Sequence, residues 1–150
     1  MSDRESQEET RYEALRLCNQ LCFPLYACSK EIVRRYTPLL KPLDLTYTQY
    51  LVMMALWEKK VMRFKELGEL LYLDSGTLTP LIKRLAEKNY IRKTRSESDA
   101  RDLVLELTEE GLEMREKAVG IPEQVGSCID LEKEEALTLY EILHKIMKEF

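Results

Sequence analysis

Arg63 to Leu71 (RFKELGELL), Tyr72 to Thr77 (YLDSGT) and Leu78 to Asn89 (LTPLIKRLAEKN) read in order as a helix, a turn and a second helix. Two short β-prone runs follow, Tyr90 to Arg95 and Leu103 to Leu107, joined by the polar loop Ser96 to Asp102. Helix, turn, helix and hairpin is the order of a winged helix-turn-helix, so the expected fold class is mainly α with a small β-hairpin wing. Charge supports the same unit. Between Lys83 and Arg101 stand seven basic residues (Lys83, Arg84, Lys88, Arg92, Lys93, Arg95, Arg101) against three acidic ones (Glu87, Glu97, Asp99). A local excess of +4 in a chain whose net charge is −4 is the footprint of a surface that neutralises phosphates on one side only.

Working outward, Thr46 with Gln49 three residues later resembles a capping box and opens a helix from Tyr47 to about Glu58. Upstream, Cys18, Leu21, Cys22, Leu25, Ser29, Ile32, Val33 and Tyr36 recur at helical spacing. Pro24 lies inside that run, so the helix either kinks there or begins there with Pro24 in its first turn. Pro38 and Pro42 are expected to end it. Downstream, Thr108 caps a helix from Glu109 to about Val119, and Ile121-Pro122 interrupts or bends it. Asp130 is expected to cap a final helix, Leu131 to Phe150, with Leu139, Ile142, Leu143, Ile146, Met147 and Phe150 on one side.

At 150 residues the chain reads as one domain. Its dimerisation helices are expected at about 11–45 and 109–150, around a winged helix-turn-helix at about 47–108. The winged unit is too small to cover both terminal apolar stripes, so the simplest arrangement is a two-fold homodimer with interlocked terminal helices. Two winged units held at fixed separation then meet successive major grooves of one face of double-stranded operator DNA. No apolar run approaches the roughly 18 residues that span a bilayer, and Met1 to Arg11 is charged and polar, unlike a secretory or transit peptide. The expectation is a cytoplasmic protein with a short frayed tail, no membrane association and reduced thiols at Cys18, Cys22, Cys28 and Cys128.

Leu71 to Leu85 (LYLDSGTLTPLIKRL) resembles the recognition segment of the MarR family of bacterial repressors, and Asp99-Ala100-Arg101 with Leu107 to Gly111 (LTEEG) resembles its wing signature. Gln20 to Tyr26 (QLCFPLY) and Leu45 to Leu51 (LTYTQYL) are similar to the organic-hydroperoxide-sensing OhrR branch. The resemblance implies a reactive thiol at Cys22, with Tyr36 and Tyr47 donating hydrogen bonds to it. It also places Cys128 where two-cysteine members carry a resolving thiol. Pro24 departs from many relatives.

Given the resemblance, Asp74, Ser75, Thr77 and Thr79 are read both as the start of the second helix and as groups that meet base edges or phosphates in the major groove. Lys83 and Arg84 are read as phosphate contacts. Arg101 at the wing tip suits a narrow minor groove, and the Asp99 carboxylate holds that guanidinium rather than touching DNA.

An ordinary thiol, with a pKa of about 8.5, is slow toward peroxides at neutral pH, so a sensor needs donors or positive charge nearby. Cys22 and Tyr36 are fourteen residues apart, about 21 Å along one continuous helix. Tyr36 can therefore reach Cys22 only from a partner subunit or after a sharp reversal. Cys18 and Cys28 are assigned as small buried hydrophobes. A zinc site from Cys18, Cys22 and His144 lacks a fourth ligand, so neither metal nor cofactor is expected.

The leading reading is a repressor, not an enzyme, that leaves DNA when organic hydroperoxide oxidises Cys22. A disulfide to Cys128, between subunits, completes the switch, unless oxidation ends in a mixed disulfide. The alternative is a MarR-type repressor released by a small phenolic ligand. A thiol peroxidase or disulfide oxidoreductase is disfavoured, because the chain has no Cys-x-x-Cys pair and no alternating strand and helix pattern.

Overall fold

A computed structural model describes residues 11–95 and 102–150. The readings placed on the N-terminal tail before Arg11, on Asp99 and on Arg101 lie outside the described residues.

The first long helix, α1, is Cys22–Leu40. It begins rather than kinks at Pro24, the third helical residue, where the missing N–H would have no partner inside the helix. Ahead of it stand two short 3-10 turns (Glu13–Leu15, Leu17–Asn19) in place of the regular helix that the spacing predicts. Leu15, Leu17 and Leu21 are exposed in the single chain, so no burial supports a longer helix there. Pro38 does not end α1. The helix runs on to Leu40, which is only 1% exposed, and burial of Leu40 and Leu43 offsets the bond that Pro38 removes. Pro42 lies in the 3-10 turn Lys41–Leu43, which closes on Asp44 in the left-handed region (φ 51°).

Helix α2 (Tyr47–Lys59) starts on the expected capping box: Gln49 N donates to Thr46 Oγ1 at 3.3 Å and Thr46 N to Gln49 Oε1 at 3.1 Å. A three-residue strand, β1 (Val61–Arg63), follows and buries Met62. It is too short to show a period, and the sequence reading ran its last residue into the next helix. Helix α3 (Phe64–Leu71) ends on Tyr72 in the left-handed region. Helix α4 (Ser75–Glu87) follows, then β2 (Ile91–Arg95) and β3 (Leu103–Leu107). The three strands form one antiparallel sheet in the order β1-β3-β2, with Val61 opposite Glu106 and Arg92 also opposite Glu106. The expected hairpin is thus the outer part of a three-stranded wing.

Thr108 caps α5 (Glu109–Ala118), accepting from Gly111 N at 3.0 Å. The core of this part of the chain gathers Val52, Met53 and Leu56 of α2, Leu67 of α3, Leu78, Ile82 and Leu85 of α4, and Leu105 of β3. Trp57 locks α2 to α5, its Nε1 donating to Gly111 O at 2.7 Å.

The chain divides into two compact units, the second being Gly120–Phe150. Here α6 (Ile121–Gly126) starts with Pro122 in its first turn, as a fresh helix. Helix α7 is Lys133–Met147, shorter at both ends than expected, and Asp130 does not cap it. The cap position is Glu132, whose N–H donates to Glu135 Oε2 at 2.9 Å, a pairing with a carboxylate three residues ahead that Asp130 cannot make from where it stands. Among the described residues no helix is long and apolar enough to cross a membrane.

Candidate nucleic-acid interface and thiol site

Leu78, Ile82 and Leu85 follow the i, i+4, i+7 pattern and bury one face of α4. The opposite face is therefore open, and Ser75, Thr77, Thr79, Lys83 and Arg84 are all exposed on this helix. The helix begins three residues earlier than its period indicates, because Asp74 caps it. Thr77 N donates to Asp74 Oδ1 at 3.0 Å and Thr77 Oγ1 to Oδ2 at 2.8 Å. The Thr77 hydroxyl, then its amide, hold the Asp74 carboxyl below the ordinary carboxylate range. Asp74 therefore serves α4 as an anionic cap at the positive end of the helix dipole. Thr79 Oγ1 donates to Ser75 O at 2.6 Å. With their protons committed inside the helix, Thr77 and Thr79 present oxygens that accept, while Ser75 stays free to donate.

The cations divide into two groups. Lys83 lies 3.9 Å from Glu87, and Arg92 of β2 lies 3.9 Å from Glu106 across the sheet, both as exposed pairs that hold a side chain weakly. Arg84, Lys93 and Arg95 are exposed and have no carboxylate partner among the described residues. Lys93 and Arg95 were counted in the basic window but not singled out as contacts. Lys88, also in that window, is committed elsewhere: its Nζ pairs with Asp44 Oδ2 at 2.8 Å and donates to the Asp44 carbonyl.

All four cysteines are free and exposed in the single chain, which overturns the burial expected for Cys18 and Cys28. The residues that their helical spacing assigned to an inner face have nothing in one chain to cover them. Cys22 is the first residue of α1, with its thiol 3.9 Å from Gln20 Oε1. Tyr36 stands on the same unbroken helix, so the rise of about 1.5 Å per residue keeps the two about 21 Å apart within a chain. The structure does bring Tyr36 and Tyr47 together, with ring centroids 4.8 Å apart, and Tyr50 joins them at 5.8 Å from Tyr36. Burial first, then the neighbouring Tyr36, pushes the Tyr47 hydroxyl above its ordinary value. It remains a neutral donor at physiological pH. Tyr26 lies four residues after Cys22, on the same exposed face of α1. The sequence reading quoted it within a motif but gave it no role. Cys128 follows α6, with its thiol 3.4 Å from Gln124 O, in the other compact unit from Cys22.

Residues 34–118 match the family model described as Transcriptional regulator SarA/Rot. The organic hydroperoxide resistance transcriptional regulator of Bacillus subtilis (strain 168) is 44% identical over 144 residues, covering 91% of this chain and 98% of the relative. The chain belongs to the SarA/Rot regulators, winged-helix proteins of MarR type. Among solved structures, reduced AbfR bound to DNA superposes with a TM-score of 0.77 at 34% identity, over 94% of this chain and 98% of that one. Disulfide-formed AbfR gives 0.62 at 34% identity, over 99% and 97%. AbfR is a protein of Staphylococcus epidermidis. The expected fold class is thereby established, and the family that the sequence motifs resemble is the one to which the chain belongs.

Proposed function

We propose that this regulator is a homodimeric, DNA-binding repressor of the cytoplasm, without enzymatic turnover, that releases operator DNA when an organic hydroperoxide oxidises Cys22. The observation that carries the thiol half of this reading is the exposed Cys22 on an α1 that leaves its apolar side uncovered. Leu21 is 71% exposed and Phe23 and Leu25 are also open to solvent. Helix α7 has no buried residue at all and exposes Leu137, Leu139, Tyr140 and Ile142. Apolar area of this kind is covered by a second copy. In such a dimer the partner's Tyr36 and Tyr47, already adjacent, donate to the Cys22 thiolate, which its own chain's Tyr36 is too distant to do.

The chemistry balances in two steps. The Cys22 thiolate attacks the distal peroxide oxygen, forming an S–O bond and breaking O–O. This gives Cys22 sulfenic acid and an alkoxide that leaves as alcohol after protonation. The Cys128 thiol then attacks the sulfenyl sulfur, forming an S–S bond and releasing water. The resulting link between subunits shifts the spacing of the two winged units and breaks their match to successive grooves. Leu21, Phe23 and Leu25 around the thiol favour organic peroxides over hydrogen peroxide. At the DNA, Ser75, Thr77 and Thr79 meet base edges or phosphates, Lys83, Arg84, Lys93 and Arg95 meet phosphates, Asp74 holds the reading helix, and Arg101, held by Asp99, enters the minor groove. A relative known as a hydroperoxide resistance regulator supports the choice of signal.

Stoichiometric cumene hydroperoxide followed by a non-reducing gel tests the covalent steps. Wild type is expected to run as a crosslinked dimer, and Cys22→Ser and Cys128→Ser as monomers. A crosslink that persists in Cys128→Ser assigns the partner thiol to Cys18, Cys28 or the second copy's Cys22 instead. Equal oxidation rates with cumene hydroperoxide and hydrogen peroxide would remove the apolar selectivity from the account.

A further inference from the structure

Lys88 carries a positive charge in the most basic stretch of the chain, yet its ammonium is taken up by the turn between α1 and α2. Its Nζ is 2.8 Å from Asp44 Oδ2 and also donates to the Asp44 carbonyl. The Lys88 side chain is 25% exposed, against 85% for Asp44, so the lysine lies down on the turn between α1 and α2. The two residues sit at the ends of elements that matter. Lys88 caps the C-terminus of α4. Asp44 closes the 3-10 turn that continues α1 without a linker: Asp44 N donates to Lys41 O at 3.0 Å and Leu45 N to Leu40 O at 3.2 Å. A left-handed Asp44 (φ 51°) fixes the direction in which carbonyl and carboxylate face. Around the pair is a cleft of about 450 Å³ lined also by Lys41, Thr46, Gln49 and Arg84. Of its three cations only Lys88 is held by the single carboxylate.

We infer that Lys88 and Asp44 form a strut between the helix that bears Cys22 and the end of the reading helix, so that Lys88 is a positioning residue and not a phosphate contact. The inference rests on the proposed DNA-binding role of α4. A double contact from one ammonium to a backbone oxygen and a carboxylate of the same residue restrains both distance and direction, which a single exposed pair does not. Displacement of α1 carries Asp44 with it, and Lys88 conveys that displacement to α4.

The test uses the reduced protein and promoter DNA from its own gene neighbourhood, with affinity measured across a salt series for wild type, Lys88→Met, Lys88→Arg, Asp44→Asn, the double variant and Arg84→Met. A lost phosphate contact lowers the slope of log affinity against log salt by about 1. The strut predicts that Lys88→Met and Asp44→Asn each weaken binding several-fold with no change in that slope. The double variant binds no more weakly than either single one, and Lys88→Arg restores most of the loss. The ratio of reduced to peroxide-treated affinity shrinks in both single variants. The inference is overturned if Lys88→Met lowers the slope as Arg84→Met does, if the two losses add, or if both variants bind like wild type. If wild type itself does not bind, the DNA-binding reading fails. The melting temperatures of wild type, Lys88→Met, Asp44→Asn and the double variant then decide the strut, because additive losses contradict it.

Discussion

A buried hydrogen bond joins α2 to α5, the helix that follows the wing. Trp57 Nε1 donates to Gly111 O at 2.7 Å, and Gly111 can be there only because it has no side chain: a Cβ would stand 2.1 Å from Tyr90 O and 2.8 Å from Leu107 Cδ1. Gly111→Ala is expected to destabilise the protein by about 3 kcal/mol, the upper part of the overpacking range, since the obstructing atom is backbone. Trp57→Phe should cost about 1 kcal/mol for the bond itself. Denaturant unfolding of both variants checks the order, and a larger loss from Trp57→Phe would contradict it. Asp74 gives a prediction in pH. Its folded value is depressed, chiefly by the Thr77 hydroxyl, so its contribution is complete above an unfolded value of about 3.9. That contribution disappears as pH falls through the lower folded value. The melting temperature of wild type should therefore fall toward that of Asp74→Ala on acidification, and a constant difference would contradict the cap.

Elements were legible where a chemical signal marked their ends. Thr46 with Gln49, and Thr108 as a cap, mark the starts of α2 and α5, and both caps form. Period alone misplaced other ends. Leu78 is the first buried residue of α4, so its apolar stripe starts a turn after its backbone, and Asp74 was the better marker. Pro38 promised a helix end, but Leu40 and Leu43, buried two and five residues later, prevailed. Strand β1 is three residues long and exists through its pairing with β3, a long-range partner that no local pattern specifies. The basic window was correct as a sum and silent on geometry, which withdraws Lys88 and leaves Arg84, Lys93 and Arg95 available. At this scale the prediction is electrostatic. Lys83→Met and Arg84→Met should each reduce the salt dependence of operator binding by about one unit of slope and weaken all sequences alike. Loss confined to the operator sequence would make them base contacts.

Across the whole molecule, the terminal apolar residues are what one chain leaves unfinished. Leu21 and Leu25 near one end and Leu139, Ile142 and Met147 near the other, all placed by their spacing on apolar stripes, are exposed in the single chain. The thiol site has the same property: Cys22 and Tyr36 are both present, and one continuous helix keeps them apart. Sequence supplies the residues and the distance argument; in the proposed dimer, the Tyr36 that meets Cys22 comes from the second copy. Sedimentation should accordingly show a dimer, and Leu21→Glu with Ile142→Glu should shift it toward monomer while abolishing the fast reaction of Cys22 with peroxide. Rapid oxidation in a monomeric variant would contradict a thiol site built from two chains.

The central claim is that oxidation at Cys22 governs DNA binding. The most direct measurement is affinity for promoter DNA of the chain's own gene neighbourhood, before and after one equivalent of cumene hydroperoxide per thiol, for wild type and Cys22→Ser at fixed salt. The account predicts that reduced wild type and Cys22→Ser both bind, and that peroxide releases wild type alone. Wild type that stays bound after oxidation, or Cys22→Ser that is released as readily, would contradict it.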